Sequence, residues 1–204
     1  MQWNDLRGHL RNMYKIIKLY RHGETVWNKE GRLQGWLDSP LTEYGQAQAK
    51  KQTEQVQLVF SSDLGRAVET AKLMFPQVLL LTDPRLREIY LGDWQGKTIS
   101  MLTAQSDYRC YLERPDEFIA HTQESFQAVT QRMQDFLDDI LTRKETNIAV
   151  VSHGVAIACL VAALDERPLH LLWQDGLLEG GCCITLVYEH NKWRIVREEL
   201  PVVF

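Results

Sequence analysis

The chain has 204 residues, a formal net charge of −4 and an isoelectric point near 5.9. That length suits one domain with a sizeable core, and the charge balance excludes a global basic footprint for nucleic acid. No apolar run is long enough to span a membrane, and the stretch from Met1 to Leu10 lacks the apolar centre of a signal peptide.

Residues 1–13 read as an N-terminal extension, poorly ordered or helical, or as the result of a misassigned start with Met13 as the true first residue. Residues 14–204 read as one domain. Tyr14 to Tyr20 is rich in strand formers and predicts a strand. It delivers Arg21, His22 and Gly23 to its tip. Gly23 lets the backbone turn sharply there, Arg21 can hold an oxyanion with two parallel hydrogen bonds, and His22 can be a neutral nucleophile near neutral pH.

The stretch from Gly31 to Thr42 predicts a loop broken by Pro40, with Thr42 as the N-cap of a polar helix from about Glu43 to Gln55. Val56 to Phe60 predicts a second strand that runs into a helix carrying Arg66, with Ser62 or Asp63 as cap. Val78 to Leu81 predicts a third. The segment from Arg85 to Gly96, with two glycines and little periodicity, predicts a loop. Residues 97–121 predict short helices with exposed aromatics, Tyr108, Tyr111 and Phe118, forming a small cap. Their apolar faces suit an apolar leaving group or packing on the sheet, and the sequence favours neither.

A long helix is predicted from Glu124 to Arg143, because Phe126, Val129, Met133, Phe136, Leu137 and Ile140 recur at helical intervals. Asn147 to Val151 predicts a buried strand that delivers Ser152, His153 and Gly154 to the start of an apolar helix. A hairpin turning at His190 and Asn191 closes the domain. Cys110, Cys159, Cys182 and Cys183 show no metal-ligand spacing, and adjacent Cys182 and Cys183 are awkward partners for a mutual disulfide. Reduced thiols and a cytoplasmic location are expected.

Alternating strands and helices predict an α/β fold with a mostly parallel sheet. Arg21, His22, Arg66 and His153 each follow a predicted strand, and ligands in open α/β sheets gather outside the carboxyl ends of the strands.

The run Arg21-His22-Gly23-Glu24-Thr25-Val26-Trp27-Asn28, continued by Gly31 to Thr42, resembles the signature of the histidine phosphatase superfamily, which includes the cofactor-dependent phosphoglycerate mutases. Ser61 to Ala71 resembles its second arginine motif, and Ser152-His153-Gly154 its second histidine motif. Leu86, Glu88, Gly92, Trp94 and Gly96 resemble its acid loop. The resemblance implies a three-layer fold with a mostly parallel central sheet and a small helical cap.

It also implies roles. A phosphate monoester brings about two negative charges, which Arg21, Arg66, a protonated His153 and the amide of Asn28 surround. His22 attacks phosphorus in line and becomes a phosphohistidine. Glu88 acts as general acid and then as base toward water, which needs a carboxyl kept neutral by burial and by the phosphate charge. Gln34 and Gly35 match positions that line the substrate pocket. No cofactor or metal is implied. A metal reading built on His22, His153 and Glu88 or Glu24 would set a cation beside two arginines.

Two departures favour hydrolysis over mutase chemistry. Mutases of this family typically carry Glu-Arg-His-Tyr-Gly at the acid loop, where this chain has Glu88-Ile89-Tyr90-Leu91-Gly92, and the stretch between Glu88 and His153 lacks the longer mutase insertion. Within the phosphatases the acid loop most resembles the bacterial broad-specificity enzymes. The expected partner is a small phosphate ester, with no nucleic acid or membrane, and the expected state is a monomer or homodimer. The alternatives are mutase-type phosphoryl transfer and a non-catalytic phospholigand-binding module.

Overall fold

A computed structural model describes residues 14–50, 52–196 and 202–203 of the protein; the N-terminal extension lies outside the described residues. The strand β1 spans Lys15–Arg21 and pairs in parallel with β4, Asn147–Ser152, in a register that sets Arg21 beside Ser152. On the far side of β4 lie β2, Leu58–Ser61, and then β3, Leu80–Thr82, both parallel to it. On the far side of β1 lie the antiparallel β6, Cys183–Glu189, and β7, Lys192–Val196, giving the order β3-β2-β4-β1-β6-β7. The turn between β6 and β7 places His190 and Asn191 at φ of 52° and 63°, as a tight hairpin requires. A separate pair joins β5, Leu177–Leu178, to β8, Val202–Val203.

β2 and β4 are continuous apolar runs because helices cover both faces of the sheet. On one face Tyr20, Val59, Ala149 and Val151 pack against Ala67, Ala71 and Met74 of α3, Gly65–Met74. On the other, Ile17, Leu19, Phe60 and Val150 belong to the core formed with α6, Phe126–Leu141, and α7, Gly154–Leu164. The six apolar residues predicted to face the core from α6 are all buried. Ser125 caps that helix by accepting from Ala128 N at 3.2 Å, so it starts two residues later than the sequence suggests. The layers and mostly parallel sheet expected from the sequence are present.

Several local expectations change. The helix α2 is described over Glu43–Lys50 and is shorter than predicted; beyond it the Gln52 side-chain oxygen accepts from the amides of Thr53 and Glu54. Thr42 caps it as expected, accepting from Gly45 N at 3.0 Å. α3 is capped by neither Ser62 nor Asp63. Asp63 is committed to Arg87 at 2.7 and 2.6 Å, and the carboxylate of Asp38, from the loop ahead of α2, takes the amides of Gly65 and Arg66 instead.

Two further helices, α4, Ile99–Leu102, and α5, Ser106–Glu113, occupy the cap segment. The aromatics of this segment are not exposed: Tyr108 and Tyr111 are buried and Phe118 is half-buried. Trp94, Phe126 and Trp173 meet them with ring centroids 4.9–5.7 Å apart, so packing accounts for these rings.

Candidate active site

The register of β1 and β4 carries the backbone one step past the sheet, where His22 N donates to Ser152 O at 3.0 Å. His22 and His153 therefore emerge side by side, with ring centroids 5.1 Å apart, and both are buried. Gly23 serves this tip differently from expectation. It has no left-handed φ; a Cβ there would stand 2.4 Å from the carbonyl oxygen of Gly45, so its role is close backbone approach.

His22 Nδ1 lies 2.8 Å from Gly23 O. A carbonyl can only accept, so Nδ1 carries the proton and Nε2 presents its lone pair. Arg66 Nε donates to that Nε2 at 3.3 Å. Burial, then the charges of Arg66 and Arg21, push the His22 pKa well below the ordinary 6.5. The imidazole is thus neutral and oriented, as a nucleophile requires.

Arg66 is fixed from three directions. Its Nη1 donates to Leu37 O and to Asp38 Oδ1, both at 2.9 Å, and its Nη2 to Gly35 O at 2.8 Å. Gly35 adopts a φ of +55°, which turns this carbonyl-bearing loop, and a Cβ there would meet the Gln95 side chain at 2.4 Å. Arg21 donates through Nη1 to Leu178 O at 2.7 Å, while its buried Nε has no protein partner. Asn28 commits its side-chain oxygen to Thr25 in a reciprocal helix cap over α1, Val26–Lys29, which leaves its amide nitrogen as a donor.

Arg21, His22, Asn28 and Arg66 share a cavity of about 200 Å³ with Gln34, Gly35 and Glu88. Seven of the eight predicted site residues meet there, and the eighth, His153, packs against His22. Gln34 Oε1 and both ring nitrogens of His153 are buried without protein partners. Burial, then the neighbouring charge of Arg66, pushes the His153 pKa well below 6.5. The expected protonated His153 is therefore neutral in the site as it stands, and charging it calls for a bound anion.

Glu88 departs from expectation too. Its carboxyl accepts from Ile89 N at 3.0 Å and, at the start of α7, from Ala156 N at 3.0 Å and Val155 N at 3.2 Å. A helix N-terminus favours negative charge, so the carboxyl is not simply isolated among apolar walls. Glu24 accepts from Thr42 Oγ1 at 2.7 Å and also faces a second lobe of about 370 Å³, contiguous with the first along Arg21, His22 and Asn28, where Tyr44, Gln48 and Glu179 complete the wall. Among the described residues, no cluster of three or more His, Cys, Asp or Glu side chains could hold a metal ion.

Sequence reasoning gave no role to Asp38, Glu124 or Arg132. Arg132 Nη1 donates to the carbonyls of Arg85 and Arg87, both at 2.6 Å, its Nη2 to that of Glu88 at 3.0 Å, and its Nε to Glu124 at 2.8 Å. A signal existed: Arg132 falls between Val129 and Phe136 on the apolar stripe of α6, where a cation needs a buried partner.

A family model described as the histidine phosphatase superfamily (branch 1) matches residues 17–200. A protein of Yersinia pestis (strain Pestoides F), described as a probable phosphoglycerate mutase, GpmB, is 35% identical over 188 residues, covering 87% of this chain and 86% of that protein. Among solved structures, Bacillus stearothermophilus YhfR superposes with a TM-score of 0.85 at 32% identity, covering 90% of this chain and 96% of that one. A mycobacterial glucosyl-3-phosphoglycerate phosphatase superposes with a TM-score of 0.79 at 28% identity, covering 90% and 97%.

Proposed function

The chain belongs to the histidine phosphatase superfamily, and from that premise we propose that it hydrolyses small phosphate monoesters through a phosphohistidine on His22. The observation that carries this reading is the His22 imidazole: buried, neutral, with Nδ1 tied to Gly23 O and Nε2 facing the Arg66 guanidinium.

In this reading the phosphoryl group lies among Arg21, Arg66 and the Asn28 amide, with His153 taking up a proton as the dianion binds. The Nε2 lone pair forms a bond to phosphorus as the ester P–O bond breaks. The leaving oxygen takes a proton from Glu88, the general acid of this reading. Water then attacks phosphorus, Glu88 accepts its proton, and the P–N bond breaks to restore neutral His22. Cationic side chains neutralise the transferring group, so the scheme calls on no metal.

Hydrolysis is favoured over phosphoglycerate mutase chemistry by the acid loop. Ile89 is fully buried in the core, and Leu91 turns an apolar face to the cavity. Neither offers the second anionic group of a phosphoglycerate a donor. The mutase reading draws its support from the Yersinia relative's description. The deciding experiment measures phosphate release from an aryl phosphate and from a metabolite panel, with chelator present, with and without bisphosphoglycerate. Release independent of bisphosphoglycerate, with acid-labile phosphate trapped on His22, is the expected result. Isomerisation of phosphoglycerate that needs bisphosphoglycerate would replace this reading with the mutase one.

A further inference from the structure

The segment from Arg85 to Tyr90 has little regular hydrogen bonding of its own, yet side chains claim four consecutive carbonyls along it, from Arg85 to Glu88. Arg132 takes those of Arg85, Arg87 and Glu88. Ser152 Oγ takes that of Leu86 at 2.9 Å, and Trp36 Nε1 also donates to Glu88 O at 2.8 Å. Glu124 closes the clamp. Its carboxylate pairs with Arg132 through both oxygens, at 2.8 and 3.0 Å, and accepts from Tyr90 N at 3.1 Å, while its own amide donates to Tyr90 O at 2.8 Å. Both side chains of the pair are only 16% exposed.

Arg132 does not line the cavity, and Glu88 does. We propose that Arg132, clamped by Glu124, is the positioning residue for the general acid: it sets the backbone of the Glu88 loop so that the carboxyl reaches the leaving-group oxygen. This rests on the reading of Glu88 given above. The chemistry needs arginine in particular. One planar guanidinium spans three carbonyls and a carboxylate at once, whereas a lysine ammonium, a compact point charge with three donors, cannot. Misplacing a reacting group by about 1 Å can cost about a hundredfold in rate.

The test compares Arg132→Lys and Glu124→Gln, each in the wild-type and Glu88→Gln backgrounds, on glycerol phosphate and on nitrophenyl phosphate. The first ester needs a proton on its leaving group and the second does not. The expected result is a loss in kcat of about 30- to 100-fold on glycerol phosphate and under about threefold on nitrophenyl phosphate, with no further loss when Glu88 is already glutamine. Equal losses on the two esters, losses that multiply in the Glu88→Gln background, or no loss at all would overturn the proposal. Should Arg132→Lys fail to fold, Glu124→Gln keeps the shape of the clamp and carries the same comparison. Discrimination by Glu88→Gln without discrimination by the clamp variants would sink this inference alone. No discrimination by Glu88→Gln would remove Glu88 from the acid role, and this inference with it.

Discussion

Asp38 Oδ1 lies 2.9 Å from Arg66 Nη1, and the same carboxylate takes the backbone amides of Gly65 and Arg66. One side chain thus joins the loop bearing Gln34 and Gly35 to the first turn of the helix that presents Arg66. Asp38→Ala removes a helix cap and the counterion of a buried guanidinium together. It should lower kcat/KM at least about tenfold and cost about 1 kcal/mol of stability through the lost cap. Denaturant titration beside steady-state kinetics measures both. Unchanged kinetics would show that the three carbonyl and imidazole contacts of Arg66 suffice to hold it.

His22→Ala should abolish turnover while leaving the fold intact. Loss of a nucleophile normally costs several orders of magnitude, and His22 lies at a strand tip where truncation removes no sheet hydrogen bond. Activity within about tenfold of wild type would assign the nucleophile elsewhere.

The acid limb of kcat/KM should fall well below pH 6.5, because burial and two arginines hold His22 neutral there. A pH–rate profile on nitrophenyl phosphate isolates this limb from the protonation of the leaving group. A limb centred at the ordinary histidine value would mean that the arginines do not act on His22.

Stability should also fall as the solution is acidified. Native His22 and His153 stay neutral below pH 6.5, whereas the same residues take up protons in the unfolded chain. The unfolded state then binds more protons, so stability rises with pH up to about 6.5 and gains nothing from these groups above it. Each contributes a slope of at most about 1.4 kcal/mol per pH unit. Urea midpoints at several pH values for wild type and His153→Asn should differ in slope, with the variant flatter. Equal slopes would refute the assignment.

The second lobe predicts a preference in substrate charge. Glu24 and Glu179 both face it, and Tyr44 holds Glu179 by a hydrogen bond of 3.3 Å. A second anionic group should therefore be disfavoured, and kcat/KM for phosphoglycerate should lie about tenfold or more below that for glycerol phosphate. Glu179→Gln should narrow the gap about two- to fivefold, the scale of one solvent-screened charge. A gap that does not move would show that substrates never enter this lobe.

Much of the site was legible because its residues follow strands. Apolar runs mark β1, β2 and β4, and a parallel sheet brings the residues after them to one edge. What could not be read acts through distant contacts. Asp38 caps a helix 27 residues on, and Arg132 reaches carbonyls 44 to 47 residues away. Neither pairing leaves a local pattern. Tyr108 and Tyr111 looked exposed because the rings that bury them, Trp94, Phe126 and Trp173, come from other segments. Two of the three donors that receive the Glu88 carboxyl belong to the backbone of α7, and no residue type announces them.

The strand tip that carries His22 touches its neighbour through main chain on both sides, since a Cβ on Gly45 would stand 2.1 Å from the carbonyl oxygen of Glu24, just as one on Gly23 would strike Gly45. Contacts of this kind contain no rotamers, so no repacking of nearby side chains can absorb an added methyl group. Each position therefore requires glycine whatever residue occupies the other. A library randomised at both should return glycine at both, and the placement of His22 should survive wide variation everywhere else around it.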